Sequence, residues 1–374
     1  MFEISPIIAA FFSQELLLAL LISLALIPIF KLPAEKFGLV DKPGGRKQHA
    51  RTAALIGGPA IFFSFIATLL IFNIGDEYNG MLTATILLFL IGIIDDKYDI
   101  SASIRLVLQT IIITGALWVD NVWIGPFELT NTYSLDFGLV AYPLTVVVIL
   151  ALKNAINMLD GIDGLSSGVS LIALGFIIAI SQYTNQIPVL MVSTTLFGAI
   201  LGFWAFNYRF KWRTEGASVF MGDSGSMLIG FLIPYIAIKV SLVSDPMTSP
   251  SLLVWFVAIP VWDIITVVIR RVKTNKSPIK PGRDHIHHIL MNAGLEIRQI
   301  LHLVYLLSIA AGTAGMTMKY LGVNPIESYV FFVIALALYM QRINSLERKF
   351  KSHQAELAVL GRTLEKVVNI NNKR

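Results

Sequence analysis

Asn154 to Leu165 reads Asn-Ala-Ile-Asn-Met-Leu-Asp-Gly-Ile-Asp-Gly-Leu. Asn154 and Asn157 stand three residues apart, and so do Asp160 and Asp163, each of which is followed by glycine. On a helix, Asn154, Asn157 and Asp160 share roughly one face. The glycines then let the backbone turn or approach a ligand. Oxygen ligands gathered on such a turn suit a hard cation such as Mg2+. A single Asp-Gly is an ordinary turn former, but here the pattern sits between two apolar runs and is one of several acidic clusters.

Asp95-Asp96-Lys97-Tyr98-Asp99 puts three carboxylates at the end of another apolar run. Such a group persists at a bilayer edge when it is solvated, paired with cations or bound to metal. A turn capped by Asp99 or Ser101 explains part of it but not Asp95 and Asp96. Met221-Gly222-Asp223-Ser224-Gly225-Ser226 sets a lone carboxylate between glycines at the start of a further apolar run, where a helix N-terminus is offered to an anion. Arg283-Asp284-His285-Ile286-His287-His288 gathers three histidines in four residues. Adjacent His287 and His288 are poorly spaced for one zinc ion, and with Arg283 the cluster reads better as a site for phosphate or sugar. Lys47 and His49, in the dense cationic loop from Lys36 to Gly58, are candidates for holding a phosphate. Asp263, two turns before Arg270, is placed to pair with a cation at the membrane edge.

Carboxylates and carboxamides for a divalent cation, with Arg, Lys and His for phosphates, describe a phosphoryl-transfer site. There is no Gly-rich Walker loop, which excludes a P-loop ATPase.

The elements that must position these groups are membrane helices. The chain has 374 residues, 55% hydrophobic and 14% charged, with mean hydropathy +0.72, against about a quarter charged in soluble domains. The reading is an all-α polytopic membrane protein. Apolar runs near 8–30, 54–74, 80–95, 103–119, 141–157, 165–182, 188–207, 225–243, 251–270, 299–318 and 325–341 give about eleven spans of roughly 20 residues. Alternate loops and the tail hold 27 of the 29 Lys and Arg; only Lys239 and Lys319 fall on the other side. The positive-inside rule then puts the N-terminus in the periplasm and the C-terminus in the cytoplasm, with every polar motif on the cytoplasmic face. The N-terminus has no basic region or small-residue cleavage site, so its apolar run reads as a first span and not a cleaved signal. The net charge of +5 is a matter of topology and gives no argument for a nucleic-acid partner. With no Cys there is neither a disulfide nor a thiolate metal site. Residues 1–342 read as a transmembrane catalytic domain and 343–374 as a charged, helix-compatible cytoplasmic tail, which could lie on the membrane, pair with a second subunit in a homodimer, or be solvated.

Asp95-Asp96 with Asp99, Asn154–Leu165, Gly222–Ser226 and His285–His288 occur in the order seen in the polyprenyl-phosphate N-acetylhexosamine-1-phosphate transferases, and the chain resembles that family over nearly its whole membrane body. The Arg-Asp-His-Ile-His-His form resembles the branch that uses UDP-GlcNAc and undecaprenyl phosphate. The peptidoglycan branch, which uses UDP-MurNAc-pentapeptide, has a different histidine loop and typically ten spans. Relatives that use other N-acetylhexosamines share the motifs. The resemblance implies transfer of GlcNAc-1-phosphate from UDP-GlcNAc to undecaprenyl phosphate with release of UMP, at the cytoplasmic face of the bacterial inner membrane. The product would start lipid-linked glycans such as O antigen. It also implies Mg2+, with Mn2+ able to substitute, held by Asn157 and Asp223. Asp95, Asp96, Asp160, Asp163 and Asp223 form the implied catalytic set, with Asp95 and Asp96 beside the lipid phosphate. Asn154 is a further substrate-binding candidate. Arg283, His285, His287 and His288 would lie beside the donor, and Lys47 would dock the lipid phosphate. An ion-coupled transporter would carry its carboxylates near the bilayer midplane on broken helices; here they gather at one face.

Overall fold

A computed structural model describes residues 4–41, 53–75, 77–130, 132–212, 216–243, 245–277 and 282–371. In chain order the helices are α1 (Ile4–Ala10), α2 (Gln14–Phe37), α3 (Gly57–Ile71), α4 (Asn79–Tyr98), α5 (Ala102–Asp120), α6 (Ala141–Leu159), α7 (Leu165–Tyr183) and α8 (Ile187–Asn207). They continue as α9 (Gly222–Ser241), α10 (Pro250–Phe256), α11 (Ala258–Lys273), α12 (Ile286–Asn292), α13 (Ile297–Tyr320) and α14 (Pro325–Asn371). Each of the eleven expected apolar segments carries helix. Among the described residues nine helices are long and apolar enough to cross a membrane, and α10 with α11 makes a tenth if the bent pair is one span. The remaining segment, α3, is apolar but only 15 residues long. The chain is a multi-pass membrane protein.

Helix α9 is the hub. Its apolar window is 83% buried, against 17% for α14, so α9 is lined by protein and α14 faces outward. Around α9 pack α3, α4, α6, α7 and α8. Small residues permit this, since helices in lipid gain from close backbone approach. A Cβ on Gly92 of α4 or Gly58 of α3 would strike the backbone at Ser224 and Gly225. On the far side of the core, Gly198 and Gly202 let α8 close onto α2 at Leu16 and Ser23, and Ser23 Oγ donates to the Ala199 carbonyl at 2.8 Å.

Three short strands tie the loops at one end of the bundle: β1 (Val40–Asp41), β2 (Ala53–Leu55) and, just before α9, β5 (Val219–Phe220). Strand β2 pairs antiparallel with β1 and parallel with β5, Ala54 opposite Val219. A separate hairpin, β3 (Phe127–Glu128) with β4 (Ser134–Leu135), lies in the loop after α5. A second apolar core joins α10 to α14, with Trp255, Trp262 and Phe332 in mutual ring contact. There the chain turns by 81° at Val257, between α10 and α11. Helix α14 runs without a break across residue 342 and on to Asn371.

Candidate active site

The ends of α4, α6 and α9 bring three of the motifs together. Helix α4 does not stop at Asp95 but continues to Tyr98, and Asp99 closes it in the left-handed region, at φ 51°. Ser101 then caps α5, which doubles back along α4. This turn delivers Arg105 to Asp95: the two form an ion pair, and the other oxygen of Asp95 accepts the Ile100 N–H at 2.8 Å. Arg105 also lies 3.9 Å from Asp223.

Asp96 faces α9. Its carboxylate accepts the backbone N–H groups of Asp223 at 2.6 Å and Ser224 at 3.2 Å, so it caps α9 from a neighbouring helix. The anion expected at this N-terminus is thus a side chain of the protein itself. Gly222 makes room for it. The residue sits at φ 74°, and a Cβ there would stand 2.7 Å from Asp96 Oδ2.

Asn157, on the last turn of α6, donates from Nδ2 to Asp223 Oδ1 at 2.8 Å and to Ser226 Oγ at 2.6 Å. Asn154 lies one turn earlier, partly buried. Asp160 ends α6, its N–H on the Asn157 carbonyl at 3.1 Å. Burial, and then the charges of Asp223, Asp163 and Asp96, push its carboxyl well above the usual range. Four carboxylates therefore converge here.

Asp163 has a different setting. Arg209 Nε donates to it at 2.6 Å and the Ala217 N–H at 3.0 Å. Next to it, the Gly164 N–H donates to Asn207 Oδ1 at 2.7 Å, and the Gly164 carbonyl accepts the Tyr305 hydroxyl. The Asp160–Gly164 loop is thereby fastened to α8 and α13, with Asp163 as one of its anchors.

The histidine segment meets the same loop. A Cβ on Gly161 would strike His287 Nε2. His287 is 1% exposed, and among the described residues neither ring nitrogen has a hydrogen-bond partner. Burial first, then His288 and His285, lower its pKa well below the ordinary value; His288, stacked at a tilt on it 4.1 Å away, is lowered too, burial again leading. His285 pairs with Asp263 at 2.7 Å, so the partner of Asp263 is a histidine and not Arg270. Asp284 receives both the Nε and Nη2 of Arg271, at 2.7 and 2.6 Å. Burial alone would raise the Asp284 carboxyl, but the Arg271 hydrogen bonds and charge hold it below the usual range. Arg283 is exposed beside this segment. Lys47 and His49 lie outside the described residues.

Two further basic residues belong to the cluster without being part of a motif. Arg105 is one. The other is Lys153, just before Asn154, 1% exposed and in the field of Asp95, Asp223 and Arg105. A lysine inside an apolar run was the available signal for it.

The donor set suits Mg2+. Among the described residues no three His, Cys, Asp or Glu groups form an all-protein cage. Mg2+ needs none: it takes one or two protein oxygens and fills its octahedron with water and substrate phosphate. Asp223, with 37% of its side chain exposed and Asn157 against it, offers such a partial site.

The glycosyl transferase family 4 model matches residues 78–241, which hold the three convergent motifs. The chain is 32% identical over 316 residues to the undecaprenyl-phosphate alpha-N-acetylglucosaminyl 1-phosphate transferase of Escherichia coli K12, covering 82% of this chain and 84% of the relative. Proteins of the same name match from Salmonella typhi, at 32% over 333 residues (87% and 89%), and from Yersinia pestis, at 31% over 336 residues (87% and 90%).

Proposed function

Because the chain belongs to glycosyl transferase family 4, we propose that it transfers GlcNAc-1-phosphate from UDP-GlcNAc to undecaprenyl phosphate, releasing UMP. The observation that carries this reading is the junction of Asp96, Asn157 and Asp223 at the ends of three helices, with Arg105 and Lys153 beside it. Carboxylates for a divalent cation and basic side chains for phosphates are what transfer between two phosphates requires. The loop charges favour placing this junction at the cytoplasmic face of the inner membrane, N-terminus outside and C-terminus inside.

An oxygen of the lipid phosphate attacks the sugar-bearing phosphorus, and the bond to UMP breaks. A phosphomonoester has a second pKa of about 6, so the acceptor is largely a dianion at neutral pH and needs little help in losing a proton. That bears on Asp95. Both its oxygens are engaged, by Arg105 and by the Ile100 N–H, so we assign it to aiming Arg105 at the phosphates and not to proton removal. Asn157, through its carboxamide oxygen, and Asp223 would hold Mg2+, for which Mn2+ can substitute. When bound, the ion neutralises the pyrophosphate and the leaving group. His285, His287, His288 and Arg283 would face the donor across Gly161, and Asn154 would contact it from α6.

Purified protein supplied with sugar-labelled UDP-GlcNAc, undecaprenyl phosphate and Mg2+ should move label into the organic phase with equimolar UMP, and EDTA should stop it. Transfer only from another UDP-N-acetylhexosamine or from UDP-MurNAc-pentapeptide would overturn the donor. Transfer from none of them would overturn the reaction.

A further inference from the structure

Asp263 is 2% exposed and lies in α11. Its Oδ2 is 2.7 Å from His285 Nδ1. Its Oδ1 accepts two hydrogen bonds, from the Ile286 N–H at 2.8 Å and the Tyr339 hydroxyl at 3.2 Å. An acceptor on every side, Asp263 requires the imidazole to donate: the proton of the neutral ring is on Nδ1 and its lone pair on Nε2. The segment in front is braced as well. Arg271 grips the Asp284 carboxylate, and Arg270 donates to the Asp284 carbonyl while pairing with Glu347 of α14. A histidine at the end of a flexible loop has no need of such a frame; one that must present a defined nitrogen does.

We infer that Asp263 is a positioning residue for the transfer reaction: it fixes His285 in the Nδ1–H tautomer, leaving Nε2 as a hydrogen-bond acceptor for a hydroxyl of the nucleotide-sugar donor, and Tyr339 of the last helix locks the carboxylate that does so. The inference rests on the donor-side role proposed for the histidine segment.

Asp263→Asn tests it with almost no change of shape. The Ile286 N–H on Oδ1 can only donate, so the amide oxygen must take that place and the NH2 must face His285. Nδ1 then has to accept, and the ring proton moves to Nε2. In full-length protein labelled with 15N-histidine, the His285 resonances, identified by their loss in His285→Gln, should switch from the Nδ1–H to the Nε2–H pattern. KM for UDP-GlcNAc should rise about 10- to 100-fold, the usual consequence of facing a donor with a donor, while kcat changes less and the thermal midpoint holds. A tautomer that does not switch overturns the inference, as does a switched tautomer with unchanged KM, which would make Asp263 a purely structural partner. Should Asp263→Asn fail to fold, Tyr339→Phe serves: KM rising a few-fold at unchanged kcat supports the lock, and no change in KM overturns it. Failure of the proposed function would look different, because wild-type protein would then transfer nothing from UDP-GlcNAc whatever the tautomer.

Discussion

Asp223 is where the candidate site's interactions meet. It receives Asn157, lies near Arg105, and its own N–H is capped by Asp96. Asp223→Asn keeps the side chain's size but removes its charge. Lipid labelling should fall by about 100-fold or more, the scale of losing one electrostatic group from a phosphoryl-transfer site, with the thermal midpoint little changed. His287 supports a pH prediction. The folded protein keeps this ring neutral, whereas the unfolded chain takes up a proton as the pH drops through about 6.5. Stability is therefore full above that value and is lost as the pH falls towards the lower folded pKa, at about 1.4 kcal/mol per pH unit for one proton. Thermal unfolding between pH 7.5 and 5 should show the decline. His287→Gln should flatten it, leaving the part due to His288, which shifts the same way; an unaltered slope would assign the loss to other groups. At this scale the sequence was most informative. Asp96, Asn157, Asp160 and Asp223 were all visible as motif residues because polar groups at span ends stand out against apolar runs. Arg105 and Lys153 were visible only as charges, since a lone cation beside a membrane looks the same whether it marks topology or serves a site.

At the level of elements, the loop from Asp160 to Gly164 joins the carboxylates to the histidines. It is tied to Arg209, Asn207 and Tyr305 and pressed against His287. Gly161→Ala should destabilise the protein by about 1–3 kcal/mol, the range for overpacking a tight contact, and should depress transfer. Adding His287→Ala should restore the thermal midpoint, because the colliding ring is gone; a double variant no more stable than Gly161→Ala would mean that the backbone, not the ring, resists the methyl group. None of these ties could be read from the chain. Asp163 to Arg209 spans 46 residues and His285 to Asp263 spans 22, and periodicity reports only which face of an element is apolar, not which loop lies opposite. The helix ends were displaced for a related reason. Expected at 95 and 157, they fall at Tyr98 and Leu159, because hydropathy drops where the motifs begin while the backbone hydrogen bonding goes on.

Across the whole molecule, the eleven apolar segments and their helical state were legible, since a bilayer allows few other solutions. The 81° turn at Val257 was not: one apolar run covers both arms, and hydropathy carries no angle. Nor was the continuity of α14. Its stretch past residue 342 buries Ile343 and pairs Glu347 with Arg270, the same arginine that holds the Asp284 carbonyl. A chain ending at Ser352 retains both of these contacts. One ending at Arg342 should lose several degrees and much of its donor affinity, measured by unfolding and by KM; equal behaviour of the two would confine the histidine frame to α11 and α12.

Gly222 has a bearing on how substitutions will be tolerated. Its positive φ and the Asp96 carboxylate pressed against it make glycine a condition for forming the end of α9 at all, whatever reaction follows. In a survey of every substitution scored by the amount of folded protein in the membrane, position 222 should be as intolerant in an Asp223→Asn background as in the active chain, whereas position 223 should look permissive on that measure and forbidding only when turnover is scored.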